Sequence, residues 1–224
     1  GQETQAVDGW KAKSLVLSAG RQEVRGVDGD YCVYEEALGE EPTQVKVVNV
    51  LTGEVTLISD PAQDCGAAAI AEGYVVYQGH VTPDNPEIFL YSIATGRTTR
   101  LTTNTYPDRN PQIGNGAVTW VGSVGPVHDG SDQEIFYYDI AAQKTTRLTD
   151  NDAIDSDPRV SGARVAWRSL VGDEMQVYAY DRTSGATTRL SWESTSNREV
   201  SVSGDMVAWI GNPPKPPTSW DFLP

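Results

Sequence analysis

A short apolar run that ends in an aromatic residue occurs five times: YCVY ending at Tyr34, YVVY at Tyr77, AVTW at Trp120, RVAW at Trp167 and MVAW at Trp209. The steps between them are 43, 43, 47 and 42 residues. A second marker, LVLS, LIS, RLT, RLT and RLS, places its apolar residue at Leu17, Ile58, Leu101, Leu148 and Leu190, in steps of 41, 43, 47 and 42. The second marker precedes the next aromatic by 17 residues once and by 19 four times. Two markers in phase at this period restrict the chain to a repeat architecture in which like units pack on one another.

Each unit reads as four strands. In the third, strand A is expected at 111–114, strand B at 117–121, strand C at 134–140 (EIFYYDI) and strand D at 145–149. Asn115-Gly116 between A and B is a hairpin signal, since both residues accept positive φ. The other A–B turns read VDGD, IAEG, VSGA and VSGD, and the C–D turns LTGE, ATGR, AAQK and TSGA. No segment has a helical period. A repeated four-stranded antiparallel meander of this length is the blade of a β-propeller. The expected fold is therefore all-β, a five-bladed propeller forming one domain over 1–224. The fifth unit has strands A and B at 200–210 and a C strand at 219–223, but no D. A D-like strand at 13–18 has no A, B or C before it. Its pairing with the last blade, about 198–224, closes the ring and removes an exposed sheet edge. The competing reading is a fragment of a longer array.

The units EIFLYSIATGRTTRLTTNTYPDRNPQIGNGAVTW and EIFYYDIAAQKTTRLTDNDAIDSDPRVSGARVAW resemble TolB-type, WD-repeat-like propeller repeats. The features shared with that family are an IYLYD-ATG-TTRLT core, a loop with Asp before Pro, and an SG-RVVW strand. The resemblance covers nearly the whole chain and is clearest from Glu87 to Trp209; the first unit, KVVNVLTGEVTLIS, lacks the aromatic pair. It implies a periplasmic, secreted or cell-surface protein. The usual TolB arrangement adds an N-terminal domain that this sequence does not contain, so Tol-system membership is not implied. One fold hosts many functions, so the resemblance specifies architecture rather than activity.

In such a meander the short A–B and C–D turns lie at one end, and the B–C and D–A loops at the other. The B–C loops are expected at 35–44, 78–86, 122–133, 168–174 and 210–219. The D–A loops start at Ser18, Ser59, Thr102, Thr149 and Ser191. Binding commonly resides in long loops on a rigid scaffold. On these boundaries the long-loop face holds 18 acids and five bases. The whole chain has 17 Lys and Arg against 31 Asp and Glu, a net charge of −14. That charge excludes nucleic acid and anionic membranes as partners. It serves solubility, or it attracts cations or a basic partner. No apolar run is long enough for membrane insertion, and no basic n-region with an apolar h-region opens the sequence.

Asp108 and Asp155 hold equivalent D–A positions, where other units have Gln22, Cys65 and Asn197; Asp157 lies two residues beyond Asp155. They read as caps of the loop before strand A, or as a polar ring at the channel mouth where a partner or a cation such as Ca²⁺ is held; a hard cation needs several converging oxygens. His80 and His128 sit in loops, and His128, Asp129 and Asp132 form a metal candidate that matches no zinc spacing. No cofactor motif is present. Cys32 and Cys65 read as two separate small residues or as an inter-blade disulfide. The repeated aromatics read as core, whereas Trp192 stands in a loop, where it stacks on a sugar, anchors a protein contact or packs on the next blade.

The resulting expectation is a non-catalytic binding module, a monomer or a domain of a larger protein, contacting a protein or glycan partner through Asp108, Asp155, Asp157, Asn197 and Trp192. The alternatives are a lectin-like propeller and a glycoside hydrolase with Glu23, Asp108, Asp157 and Glu199 at the channel.

Overall fold

The computed structural model describes residues 5–7 and 10–12 by their backbone, and residues 20–125, 132–192 and 196–211 in full. The described residues form antiparallel β-sheets and no helix. A small hairpin, β1 (Gln5–Val7) and β2 (Trp10–Ala12), precedes the repeats. The first sheet holds β3 (Arg21–Asp28), β4 (Tyr31–Ala37), β5 (Gln44–Asn49) and β6 (Val55–Leu57). The second holds β7 (Cys65–Ala71), β8 (Tyr74–Thr82), β9 (Asn85–Ser92) and β10 (Arg97–Arg100). The third holds β11 (Asp108–Gly114), β12 (Ala117–Ser123), β13 (Gln133–Asp139) and β14 (Lys144–Arg147). The fourth holds β15 (Asp155–Ser161), β16 (Arg164–Val171), β17 (Glu174–Asp181) and β18 (Thr187–Arg189). The fifth has two described strands, β19 (Asn197–Ser203) and β20 (Met206–Gly211). Each sheet is a meander in chain order. The expected strands at 13–18 and 219–223 lie outside the described residues.

The first strands of successive sheets pack side by side, which places them innermost. Each of β7, β11, β15 and β19 carries a bulge, with a non-glycine residue at positive φ: Ala67 (50°), Asn110 (54°), Asp157 (52°) and Glu199 (52°). The extra residue re-aims the strand without ending its pairing. Strand A of the third sheet therefore begins at Asp108 rather than 111. Asp108, Asp155 and Asn197 are first residues of innermost strands, not loop residues as the sequence suggested.

Apolar clusters fill each interface between adjacent sheets. Val76, Ile88 and Leu90 meet Val118, Trp120 and Phe136; Val121 and Ile135 meet Val165 and Trp167; Ala166, Val177 and Ala179 meet Val200. Trp120 stacks on Phe136 with centroids 5.8 Å apart, and Trp167 on Tyr178 at 6.0 Å. These paired aromatics contribute about 0.5–1.5 kcal/mol beyond area burial. The repeated aromatic is thus core in four sheets, while Trp209 is 37% exposed on its two described strands.

At the short-turn end the A–B turns are chained together. Asp28 accepts a bond from Gly73 N (2.8 Å), Glu72 from Asn115 N (2.8 Å) and Gly116 N (2.9 Å), Asn115 from Gly162 N (2.5 Å), and Ser161 from Gly204 N (3.2 Å). In each turn the residue before the glycine accepts from the glycine of the next turn. The left-handed glycine, Gly116 at φ 69° for example, presents its N–H outward at no side-chain cost.

The flank of the first sheet differs. Val27 is 64% exposed, whereas its register counterparts Ile70, Ile113, Val160 and Val202 are half-buried against the cluster of a preceding sheet. Two loops also prove shorter than the sequence implied. β8 and β9 continue to a turn at Pro83-Asp84, and β16 and β17 to one at Gly172-Asp173. Polar residues in these strand extensions masked their pairing. Cys32 and Cys65 are free and buried in different apolar clusters, so no disulfide joins them.

Candidate functional site

The RLT and RLS motifs close each sheet at its long-loop end. The hydroxyl accepts the N–H of the strand C residue opposite: Val45 on Ser59 (2.9 Å), Ile88 on Thr102 (2.9 Å), Ile135 on Thr149 (2.9 Å) and Val177 on Ser191 (2.8 Å). The arginine turns inward. Arg100 pairs with Glu87 at 2.9 Å and Arg147 with Glu134 at 3.0 Å, both carboxylates having no exposed surface. Burial pushes the Glu134 carboxyl up, opposed by bonds from Thr149, Asn151 and Arg147. These glutamates escaped the sequence reading. Their signal was present, however, because an acid opens strand C in two units that both carry Arg in the next RLT.

Asp108 has no exposed surface. Its Oδ1 accepts from Trp120 Nε1 at 2.9 Å and its Oδ2 from Asn104 Nδ2 at 2.7 Å. Burial outweighs these bonds and pushes its carboxyl up to about 7. Asp155, equally buried, accepts from Asn151 Nδ2 at 2.9 Å. Asn197 donates to Met175 O (2.9 Å) and Ser191 Oγ (3.0 Å). The loop before the strand is held by Asn104 and Asn151, whose side-chain oxygens accept from Tyr106 N (3.0 Å) and Ala153 N (2.6 Å), the Asx geometry of a tight turn. The repeated position thus knits loop to strand. Of the five expected contact residues, Asp108, Asp155 and Asn197 are enclosed, Asp157 is half-exposed and ion-paired with Arg168, and Trp192 is 68% exposed.

Toward the axis, residues that follow the repeated aromatic bind the bulge of the next sheet. Glu35 accepts from Ala68 N at 3.0 Å and Gln78 from Asn110 N at 3.1 Å, while Arg168 donates to Asn197 O at 3.2 Å. Glu35 also pairs with Arg25 at 2.6 Å, and Arg25 with Glu23 at 2.9 Å. Glu35 and Glu36, expected in a loop, are buried in β4. Among the described residues, the acids that remain exposed at this end are Glu23, Glu40, Glu41, Asp60, Asp64, Asp84, Asp150, Asp152 and Asp173. Among the described residues no three His, Cys, Asp or Glu side chains group as metal ligands. His128 and Asp129 lie outside them, and His80 Nδ1 contacts Pro83 O at 3.1 Å.

Radially stacked four-stranded meanders with innermost first strands define a β-propeller. Comparison with solved structures agrees. The chain is similar to TolB from Acinetobacter baumannii, with 16% identity and a TM-score of 0.55 over 84% of this chain and 49% of that one. It is also similar to an acylaminoacyl peptidase from Pyrococcus horikoshii (13%, TM-score 0.61, 86% of this chain and 35% of that one). An oligogalacturonate lyase in complex with manganese is a further likeness (14%, 0.53, 74% and 50%). The chain spans half or less of the length of each, and at these identities the likeness establishes the fold. No family model matches the sequence, and no curated protein matches it.

Proposed function

We infer that this propeller is a non-catalytic binding module, built from TolB-type repeats, that captures a basic protein partner through its acidic long-loop face. The observation that carries the reading is the combination there, among the described residues, of nine exposed acids with the exposed Trp192. Exposed charge of one sign steers an oppositely charged partner and raises the association rate, and an exposed aromatic supplies the desolvated anchor. Placement in the periplasm, outside the cell or at its surface, a monomeric or multidomain context, and a five-bladed ring closed by 13–18 complete the proposal.

Trp192 also favours a second reading, carbohydrate binding, because an exposed indole stacks on a sugar face. The hydrolase reading has less support. Asp108 is sealed by Trp120 and Asn104, Asp157 is paired with Arg168, and Glu23 with Arg25.

The test uses two charge-reversed proteins, one with Asp150, Asp152 and Asp173 changed to Lys, the other with the short-turn residues Asp30 and Glu54 changed to Lys. Each is immobilised beside wild type and exposed to a bacterial periplasmic extract and to a glycan array. The reading expects basic proteins to be retained by wild type and by the second variant, and lost from the first. Equal retention by all three, or loss only from the second, overturns the assignment of the face; glycan capture that needs Trp192 selects the second reading.

A further inference from the structure

One position separates the third sheet from the fourth. In the third, Tyr106 fills the space beside the repeated aromatics, stacking on Phe136 with centroids 6.2 Å apart. It sits so close that a Cβ on Gly122 would stand 3.0 Å from its Cε2. In the second sheet Gln63 fills the same space beside Gly79. In the fourth, Ala153 replaces Tyr106, and the bond each makes to its Asn104 or Asn151 confirms the equivalence. An open cleft of about 620 Å³ lies there, lined by Trp167, Tyr178, Asn151, Ala153, Ser169 and Asp155. That volume suits a small organic ligand.

Asp155 makes the cleft more than a void. Its partner in the third sheet, Asp108, satisfies both oxygens, one on Trp120 and one on Asn104. Asp155 has the matching asparagine bond, but Trp167 donates nothing to it, and its buried Oδ1 has no hydrogen-bond partner among the described residues. No described cation forms an ion pair with it; Arg147, at the end of β14, is taken by Glu134 and Asp150. A buried carboxylate oxygen with open lone pairs, in the lining of a cleft that also holds Tyr178, complements a flat cation. The carboxylate supplies charge-assisted hydrogen bonds and Tyr178 a cation–π contact.

We propose that the fourth-sheet cleft is a binding site for an amidinium or guanidinium group, carried by a small molecule or by an arginine of a partner. This deepens the reading of the long-loop face as a binding surface and rests on it.

The experiment titrates benzamidinium, its neutral near-isostere benzamide, and the peptide acetyl-Gly-Arg-Gly-amide into the full chain, followed by Trp indole resonances and calorimetry. Benzamidinium is expected to bind at least about tenfold more tightly than benzamide, and Asp155→Asn to remove that preference. Ala153→Tyr with Ser169→Gly rebuilds the third-sheet packing and is expected to abolish binding while the protein stays folded. Peptide binding with benzamidinium competition identifies a partner arginine as the source, and benzamidinium binding without peptide binding identifies a small molecule. The proposal is overturned by equal affinity for benzamide, by unchanged binding in the refilled variant, or by no binding of benzamidinium or peptide up to about 10 mM. Partner capture that still depends on Asp150, Asp152 and Asp173 in a protein that binds no benzamidinium leaves the acidic face standing and removes only the cleft.

Discussion

Asp108 shows how a single residue serves the scaffold and sets a pH dependence. Its carboxyl, raised to about 7 by burial, binds its proton more tightly folded than unfolded, where such a group titrates near 3.9. Its ionisation therefore costs stability as pH rises from about 4 to about 7, and no further above that. Against Asp108→Asn, which does not titrate, wild type should lose relative stability across that window by at most about 1.4 kcal/mol per pH unit. Denaturant melts of both proteins at pH 4, 5.5 and 7.5 check this, and a constant difference refutes it. Trp192 is the opposite case. At 68% exposure its replacement by Ala should change stability by no more than about 0.5 kcal/mol, while shortening the lifetime of any complex on the long-loop face.

Each of the four described four-stranded sheets is closed at one end by the hydroxyl of its LIS, RLT or RLS motif. Thr102→Val keeps the shape but strips Ile88 N of its acceptor, so it should cost about 1–3 kcal/mol, whereas Thr102→Ser should cost far less. Urea midpoints of the two variants measure the contrast. Equal losses would mean that the threonine methyl, not the hydroxyl, matters. The motif was conspicuous in the sequence as a period marker, but its role was not. That role depends on strand D lying beside strand C, a register that spacing implies only in outline.

For the whole molecule the question is how the first and last sheets meet. Val27 lies bare where every later described sheet packs the matching Ile70, Ile113, Val160 or Val202 on its predecessor, and Met206 and Ile210 are exposed on β20. The chain of turn-to-turn bonds runs from Asp28 to Gly204, and closure would let Ser203 accept from Gly29 N. If 13–18 completes the last blade, deleting 1–18 should expose a sheet edge and lower the melting temperature by many degrees. At about 2–4 °C per kcal/mol for a chain of this size, an unchanged melt counts against ring closure.

The period, the four-strand unit, the hairpin turns and the aromatic core position were legible in the sequence because they arise from local chemistry: alternation of side chains, glycine in left-handed turns, and β-branched runs that must be buried. The role of the repeated acid was not. Asp108 and Asp155 look alike on paper, either as caps of the loop before strand A or as members of a polar ring at the channel mouth. Only packing separates them, since both are enclosed in the innermost strands, where Trp120 Nε1 completes Asp108 while Trp167 leaves one oxygen of Asp155 open. The charge count suffered likewise. Composition reports how many carboxylates the chain has, but whether one faces water, as Asp150 does, or is buried beneath an arginine, as Glu87 is beneath Arg100, is decided by contacts between residues distant in sequence.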